Sequence, residues 1–183
     1  YNRGQAAACD IFIEAIFDSK IIPSQNLGDL APGQSCRHRL KTTVSTDYLQ
    51  AIIPLRINYK DRQMYFFSMV SYAQVKFNPE EKTSIAGEIK PATISRNQNI
   101  SIKLRSLDNR SHKVSLQMVT PAELLILSPH QEILVPKKGD VEITLRLKNR
   151  SALPGSDYLL IGIISEKKHN GIYQHAISGR VQI

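Results

Sequence analysis

A two-residue period runs through most of the chain. Val141, Ile143, Leu145 and Leu147 alternate with Glu142, Thr144, Arg146 and Lys148. Successive side chains of a strand point to opposite faces, so this pattern predicts a strand with one buried and one wet face. Ile100, Ile102 and Leu104 repeat it, and so do Val114, Leu116 and Met118. Cys36, His38, Leu40, Thr42 and Val44 are set in the same way against Arg37, Arg39, Lys41 and Thr43. Cys9, Ile11, Ile13, Ala15 and Phe17 form the expected core face of an opening strand. Ala and Glu would also suit a helix there, but the β-branched residues and a turn at Asp18-Ser19 favour the strand. Residues 20–23 read as a short strand that Pro23 keeps out of a sheet centre. Residues 50–59 and 64–75 read as a hairpin turning at Lys60-Asp61-Arg62-Gln63. Residues 121–129 read as an apolar crossing, and 173–183 as the last strand, after a turn at 167–171.

The triplets Asp47-Tyr48-Leu49 and Asp157-Tyr158-Leu159 each precede an apolar run and a hairpin. They lie about 110 residues apart, close to the length of one typical domain. Residues 77–84, with Pro79 among Glu80, Glu81 and Lys82, read as a linker. The chain then divides into modules at 1–76 and 85–183. Short strands with turn signals every 8–12 residues make both of them all-β sandwiches. About seven strands fall in the second module and about five in the first, which reads as lacking one or two opening strands. An unfilled gap of that kind leaves a sheet edge open to pairing.

Leu27-Gly28-Asp29-Leu30-Ala31-Pro32-Gly33-Gln34-Ser35 resembles the Leu-Gly-x-Leu-Ala-Pro-Gly-x-Ser turn of bacterial and archaeal immunoglobulin-like repeats, among them adhesion-related modules of large surface proteins. Asn2-Arg3-Gly4-Gln5-Ala6-Ala7 is similar to the turn before the next strand of such repeats, and Leu153-Pro154-Gly155-Ser156-Asp157-Tyr158 to the entry of a late strand. The resemblance implies two tandem immunoglobulin-like β-sandwiches that bind or position protein or glycan and carry out no catalysis. It implies an extracellular or cell-envelope setting rather than the cytoplasm. Within such a sandwich, a Tyr entering the penultimate strand buries its ring and hydrogen-bonds backbone at a corner. Tyr48 and Tyr158 are the structural tyrosines in that position.

Composition narrows the chemistry. The net charge of +8 admits an anionic partner, but the basic residues are spread along wet strand faces, which argues against nucleic acid. Docking of an intracellular sensing or assembly module through those basic faces, Arg37, Arg39 and Lys41 among them, is the alternative function. No apolar run approaches the ~20 residues of a membrane helix. The start at Tyr1, without a leader, reads as a processed or excised chain. Cys9 and Cys36 are a candidate disulfide, with two buried thiols as the other reading. None of the five histidines has metal-ligand spacing to another, and a corner of Cys9, Cys36 and His38 lacks a fourth ligand. Asp10, Glu14, Asp18 and Asp29 alternate outward with no convergent acid–base pair, and no nucleophile elbow or phosphate loop occurs. No enzyme, metal or cofactor is therefore expected. Asn99, Asn109 and Asn149 head N-x-S sequons, which matter only in a glycosylating compartment. In residues 65–72 both strand faces are apolar, and Tyr65, Phe67 and Met69 form the candidate surface for a protein partner or a neighbouring domain.

Overall fold

The computed structural model describes residues 1–17 and 20–183; the expected turn at Asp18-Ser19 lies outside them. The described residues form strands and connections with no helix. The first part holds β1 (Cys9–Phe17), β2 (Lys20–Pro23), β3 (Tyr48–Lys60) and β4 (Phe66–Lys76). The second holds β5 (Ile85–Ile89), β6 (Ala92–Thr93), β7 (Asn97–Ser106), β8 (His112–Val119), β9 (Leu124–Ile126), β10 (His130–Val135), β11 (Asp140–Asn149), β12 (Asp157–Lys168) and β13 (Gly171–Gln182).

In the second part the two-residue period builds a two-layer sandwich. One layer is a four-stranded sheet in the order β5-β7-β11-β9. The other is the run β10-β8-β12-β13, with β6 parallel to β13. Ile100, Ile102, Leu104, Leu145 and Leu147 from the first layer meet Val114, Leu116, Leu160, Ile164 and Val181 from the second. Each such side chain contributes about 1.5–3 kcal/mol on burial, so this core dominates the stability of the fold.

The first part does not stand apart from this sandwich. Its four strands join the second layer into one nine-stranded sheet. β3 pairs in parallel with β13 at Tyr48↔Ile172 and Gln50↔Tyr173, and antiparallel with β1 and β4. That placement explains the unbroken apolar run Ala51-Ile52-Ile53-Pro54, because β3 is buried on both faces. Ile52 packs with Val70 against Val119, Ile161 and Ile163 on the outer face of the sandwich. Ala51 and Ile53 face the other way, onto Ala15, Phe17 and Tyr48, with Leu40 and Val44 over them.

Three sequence expectations change. Residues 36–44 are not a strand. Both edges of β3 and both edges of β1 are already paired, so this segment finds no ladder and crosses the sheet face instead. Only Leu40 and Val44 of its apolar set reach the core; Cys36 and His38 are exposed. Within the 121–129 crossing, Leu124 and Ile126 are buried and Leu125 is exposed, because β9 pairs with β11. The alternation of β1 is interrupted by a bulge between Cys9 and Phe12, where Asp10 takes a φ of 51°.

The β3–β13 seam depends on one glycine. Gly171 has a φ of 147°, and a Cβ there would lie 2.3 Å from the Asp47 carbonyl oxygen. The neighbouring Ile172 N–H donates to that same oxygen at 2.8 Å. Gly171→Ala is expected to destabilise the chain by more than about 1 kcal/mol in urea unfolding. Gly28→Ala, at a φ of 75° with nothing within 4 Å, is expected to cost less. Equal losses at the two sites would show that the contact with Asp47 does not matter.

Candidate functional site

A polar knot fixes the β4 hairpin to the second part. Ser68, at the buried position between Phe67 and Met69, donates its backbone N–H to Glu123 Oε1 at 2.7 Å and its hydroxyl to Oε2 at 2.5 Å. Its oxygen accepts the Ala122 N–H at 2.6 Å. Glu123 is 1% exposed, and among the described residues no cation pairs with it. A carboxylate in such a place is sustained by its hydrogen bonds. Arg56 strengthens the junction by donating from Nε to the Thr120 carbonyl at 3.2 Å and pairing with Glu14 at 3.4 Å.

Beside this knot runs an open groove of about 630 Å3, lined by Tyr59, Phe67, Met69, Pro121, Tyr158 and Arg180 among others. Tyr59 stacks on Phe67 at 5.7 Å between ring centroids. Burial raises the Tyr59 phenol pKa, and the Glu123 charge adds to it. The Tyr158 phenol is raised by burial first and then by Glu123, against hydrogen bonds with the Ser156 side chain and the Leu153 backbone. That backbone contact lies five residues upstream of the ring. Tyr48 is also buried, against Phe17 at 5.4 Å.

Of the expected surface residues, Tyr65 is 56% and Met69 50% exposed, while Phe67 is half-buried in its stack with Tyr59. Phe66 and Tyr72 join them as exposed aromatics. The second apolar face of this strand is covered in part by the second half of the chain, through Val70. Arg37, Arg39 and Lys41 are exposed on the irregular 36–44 segment. Cys9 and Cys36 are free thiols, the first half-buried and the second exposed. Among the sequons, the Asn149 amide is engaged with Ala152 through both its oxygen and its nitrogen, whereas Asn99 and Asn109 are exposed. Glu123, Ser68 and Arg180 escaped the sequence reading. The one available signal was a single charge, Glu123, inside an apolar run.

A second polar cluster ties down residues 81–84. Buried Glu166 accepts from the Thr83 hydroxyl at 2.5 Å and the Ser84 N–H at 2.9 Å, and pairs with Lys168 at 3.2 Å. His175 Nδ1 lies 3.6 Å from Glu166 and 3.2 Å from Thr83, and its buried Nε2 has no partner among the described residues. Among the described residues no group of three or more His, Cys, Asp or Glu side chains is arranged to hold a metal ion.

No family model matches the chain, and no curated protein does. Among solved structures, a Salmonella alpha-2-macroglobulin reacted with methylamine is similar with a TM-score of 0.39 and 8% identity, over 100% of this chain and 14% of that one. The Vibrio cholerae VesB protease is similar with a TM-score of 0.33 and 7% identity, over 96% of this chain and 63% of that one. The chain thus spans less than two thirds of either structure, and likenesses of this order carry no weight for fold or activity.

Two outcomes test the polar clusters. Ser68→Ala leaves the Ala122 N–H and a buried carboxylate short of partners, and is expected to destabilise the chain by about 1–3 kcal/mol in urea unfolding. Burial lowers the His175 pKa from its ordinary 6.5; Glu166 opposes that shift and Lys168 reinforces it. Below pH 6.5 the unfolded chain therefore binds this proton more readily than the folded one. The His175 contribution is present above about pH 6.5 and lost as the pH falls through its lower folded value. Unfolding free energies measured at successive pH values should fall more steeply in this range for the natural chain than for His175→Gln. Identical profiles would exclude His175 as the source.

Proposed function

We propose that the chain is a non-catalytic binding and structural module of a larger protein, surface-exposed or secreted, that makes protein or glycan contacts. The observation that carries this reading is the exposed apolar ridge made by both faces of the edge strand β4, with Met69 on one face, Phe66 and Tyr72 on the other, and Tyr65 in the adjoining connection. A ridge of that kind, on a strand already seated against its own protein, marks an interaction surface. The sandwich over 85–183, with β5 in one layer and β6 against β13 in the other, supports an immunoglobulin-like unit. Residues 1–76 extend the second layer of that sandwich across the β3–β13 seam. Fold alone selects no function, so the reading rests on the ridge.

The exposure of Arg37, Arg39 and Lys41 together favours the alternative of an intracellular module docking to an anionic partner. Placing p-benzoylphenylalanine at Met69 of the parent protein is expected to give protein adducts on irradiation in cells. The same probe at Leu134, which is 67% exposed on β10, should give none. Equal labelling at both positions would overturn the reading. So would heparin binding that fades between about 50 and 200 mM salt with no Met69 adduct, which would favour the anionic partner.

A further inference from the structure

Sheet edges are templates for pairing, and natural proteins blunt them with short strands, charges, prolines or bulges. Two edges of the nine-stranded sheet are blunted in these ways. β2 is four residues long, opens on Lys20 and closes on Pro23. β10 is six residues long, lies between Pro129 and Pro136, and carries Glu132 paired with Lys113 at 3.5 Å. β4 has none of these devices. It runs for eleven residues with no proline and no charge before its last residue, Lys76. Its register with β3 is continuous from Gln50↔Lys76 to Lys60↔Phe66.

The direction of its backbone groups follows from two hydrogen bonds. Residues along an antiparallel strand alternate between those that bond across the pair and those that point away. The Ser68 N–H leaves the pair and reaches Glu123, whereas Phe77 N–H bonds across to the Leu49 carbonyl. Even-numbered residues of β4 therefore point their N–H and C=O away from β3. At Ser68 the outward position is occupied by Glu123. Beyond it, Val70, Tyr72 and Gln74 have no backbone partner on that side among the described residues. Tyr72 and Gln74 are exposed, whereas Val70 is 4% exposed and lines the groove with Pro121 and Tyr158.

We infer that residues 70–74 pair antiparallel with the same residues of a second copy of this chain, about a two-fold axis at Tyr72. The inference rests on reading the chain as a protein-contact module, and it names the partner and the mode of contact at β4. Two features select a second copy. The open stretch lies between the Glu123 contact at Ser68 and the strand end at Lys76 and centres on Tyr72, where self-pairing engages the outward groups of Val70, Tyr72 and Gln74. The pairs created are Tyr72 with its own equivalent, Val70 with Gln74, Ser71 with Ala73 and Met69 with Val75, with no like charges opposed. The contact is isologous, so it closes at a dimer and does not propagate into a fibre.

Sedimentation velocity on the 183-residue chain tests this. The weight-average sedimentation coefficient is expected to rise toward a dimer between about 5 and 500 µM, the range of a small interface. Gln74→Pro removes an outward-facing donor and leaves the ladder to β3 intact, so it should stay monomeric with little change in Tm. Ala73→Pro removes an inward-facing donor and should lower Tm. As a second measurement, Tyr72→Cys in a Cys9→Ser, Cys36→Ser background should oxidise to a linked dimer, because opposed hydrogen-bonded Cα atoms lie ~5.5 Å apart, within disulfide range. A chain that stays monomeric throughout, a dimer that survives Gln74→Pro, or no cross-link from the Tyr72→Cys variant would overturn the inference. Met69 adducts from a monomeric chain would overturn this pairing alone and leave the binding-module reading standing.

Discussion

The structure depends on β3 having no wet face. A strand buried on both sides needs apolar residues on both of its faces and layers on both sides of it. The run Ala51-Ile52-Ile53-Pro54 meets the first need. The second is met unequally: one side is the outer surface of the sandwich, through Val119, Ile161 and Ile163, and the other is β1 with the irregular 36–44 cover. Removing either layer would expose a continuous apolar strip. The two parts of the chain are therefore one packed body, although residues 77–84 separate their sequences.

Polar contacts then fix where the layers meet. The parallel seam between β3 and β13 spans only Tyr48 and Gln50, and Gln174 extends it with its side chain. Its Oε1 accepts the Ile52 N–H at 2.9 Å, its Nε2 donates to Ser165 at 3.1 Å, and Gln50 donates to its carbonyl at 2.6 Å. A buried N–H without a partner costs about 1–3 kcal/mol, so sliding β3 along β13 is opposed by more than lost packing. Glu123 under Ser68 and Glu166 under Ser84 do the same for the hairpin and for the connection. In all three places a side chain stands in where a ladder stops. Apolar burial selects the layers, and these hydrogen bonds select the register.

Strand existence was legible wherever one face is wet. The alternation of 141–148 placed β11, and that of 9–17 identified Ile11, Ala15 and Phe17 as buried. It failed at 36–44 because a two-residue period records extended backbone, not a ladder, and both edges of β1 and β3, the strands this segment covers, are already paired. Sequence patterns carry no information about which edges are already taken. For the same reason the joining of the two halves into one sheet was not legible: the groups of β3 and β13 that meet are backbone groups, and the contact at Gly171 needs a glycine that any hairpin turn would also explain. The exposed aromatics of 65–72 were visible as an excess of apolar residues. The carboxylate beneath them was hidden by its apolar neighbours Ala122 and Leu124.

The two ends of β4 show what that carboxylate does. A carboxylate accepts hydrogen bonds and donates none, so Glu123 can cap an N–H on a strand edge but cannot continue a ladder. At Ser68 it satisfies the outward N–H and takes the place that a carbonyl of an added strand would occupy. The edge is therefore closed at the end seated against the sandwich and open beyond it, where the side chains of Ser71 to Gln74 pass into solvent. Burying a carboxylate without a cation is costly, and the Ser68 N–H and hydroxyl offset that cost by donating to it. Closing one half confines pairing to a short stretch with a defined centre, and a defined centre separates a single register from the many that an eleven-residue apolar strand would otherwise allow.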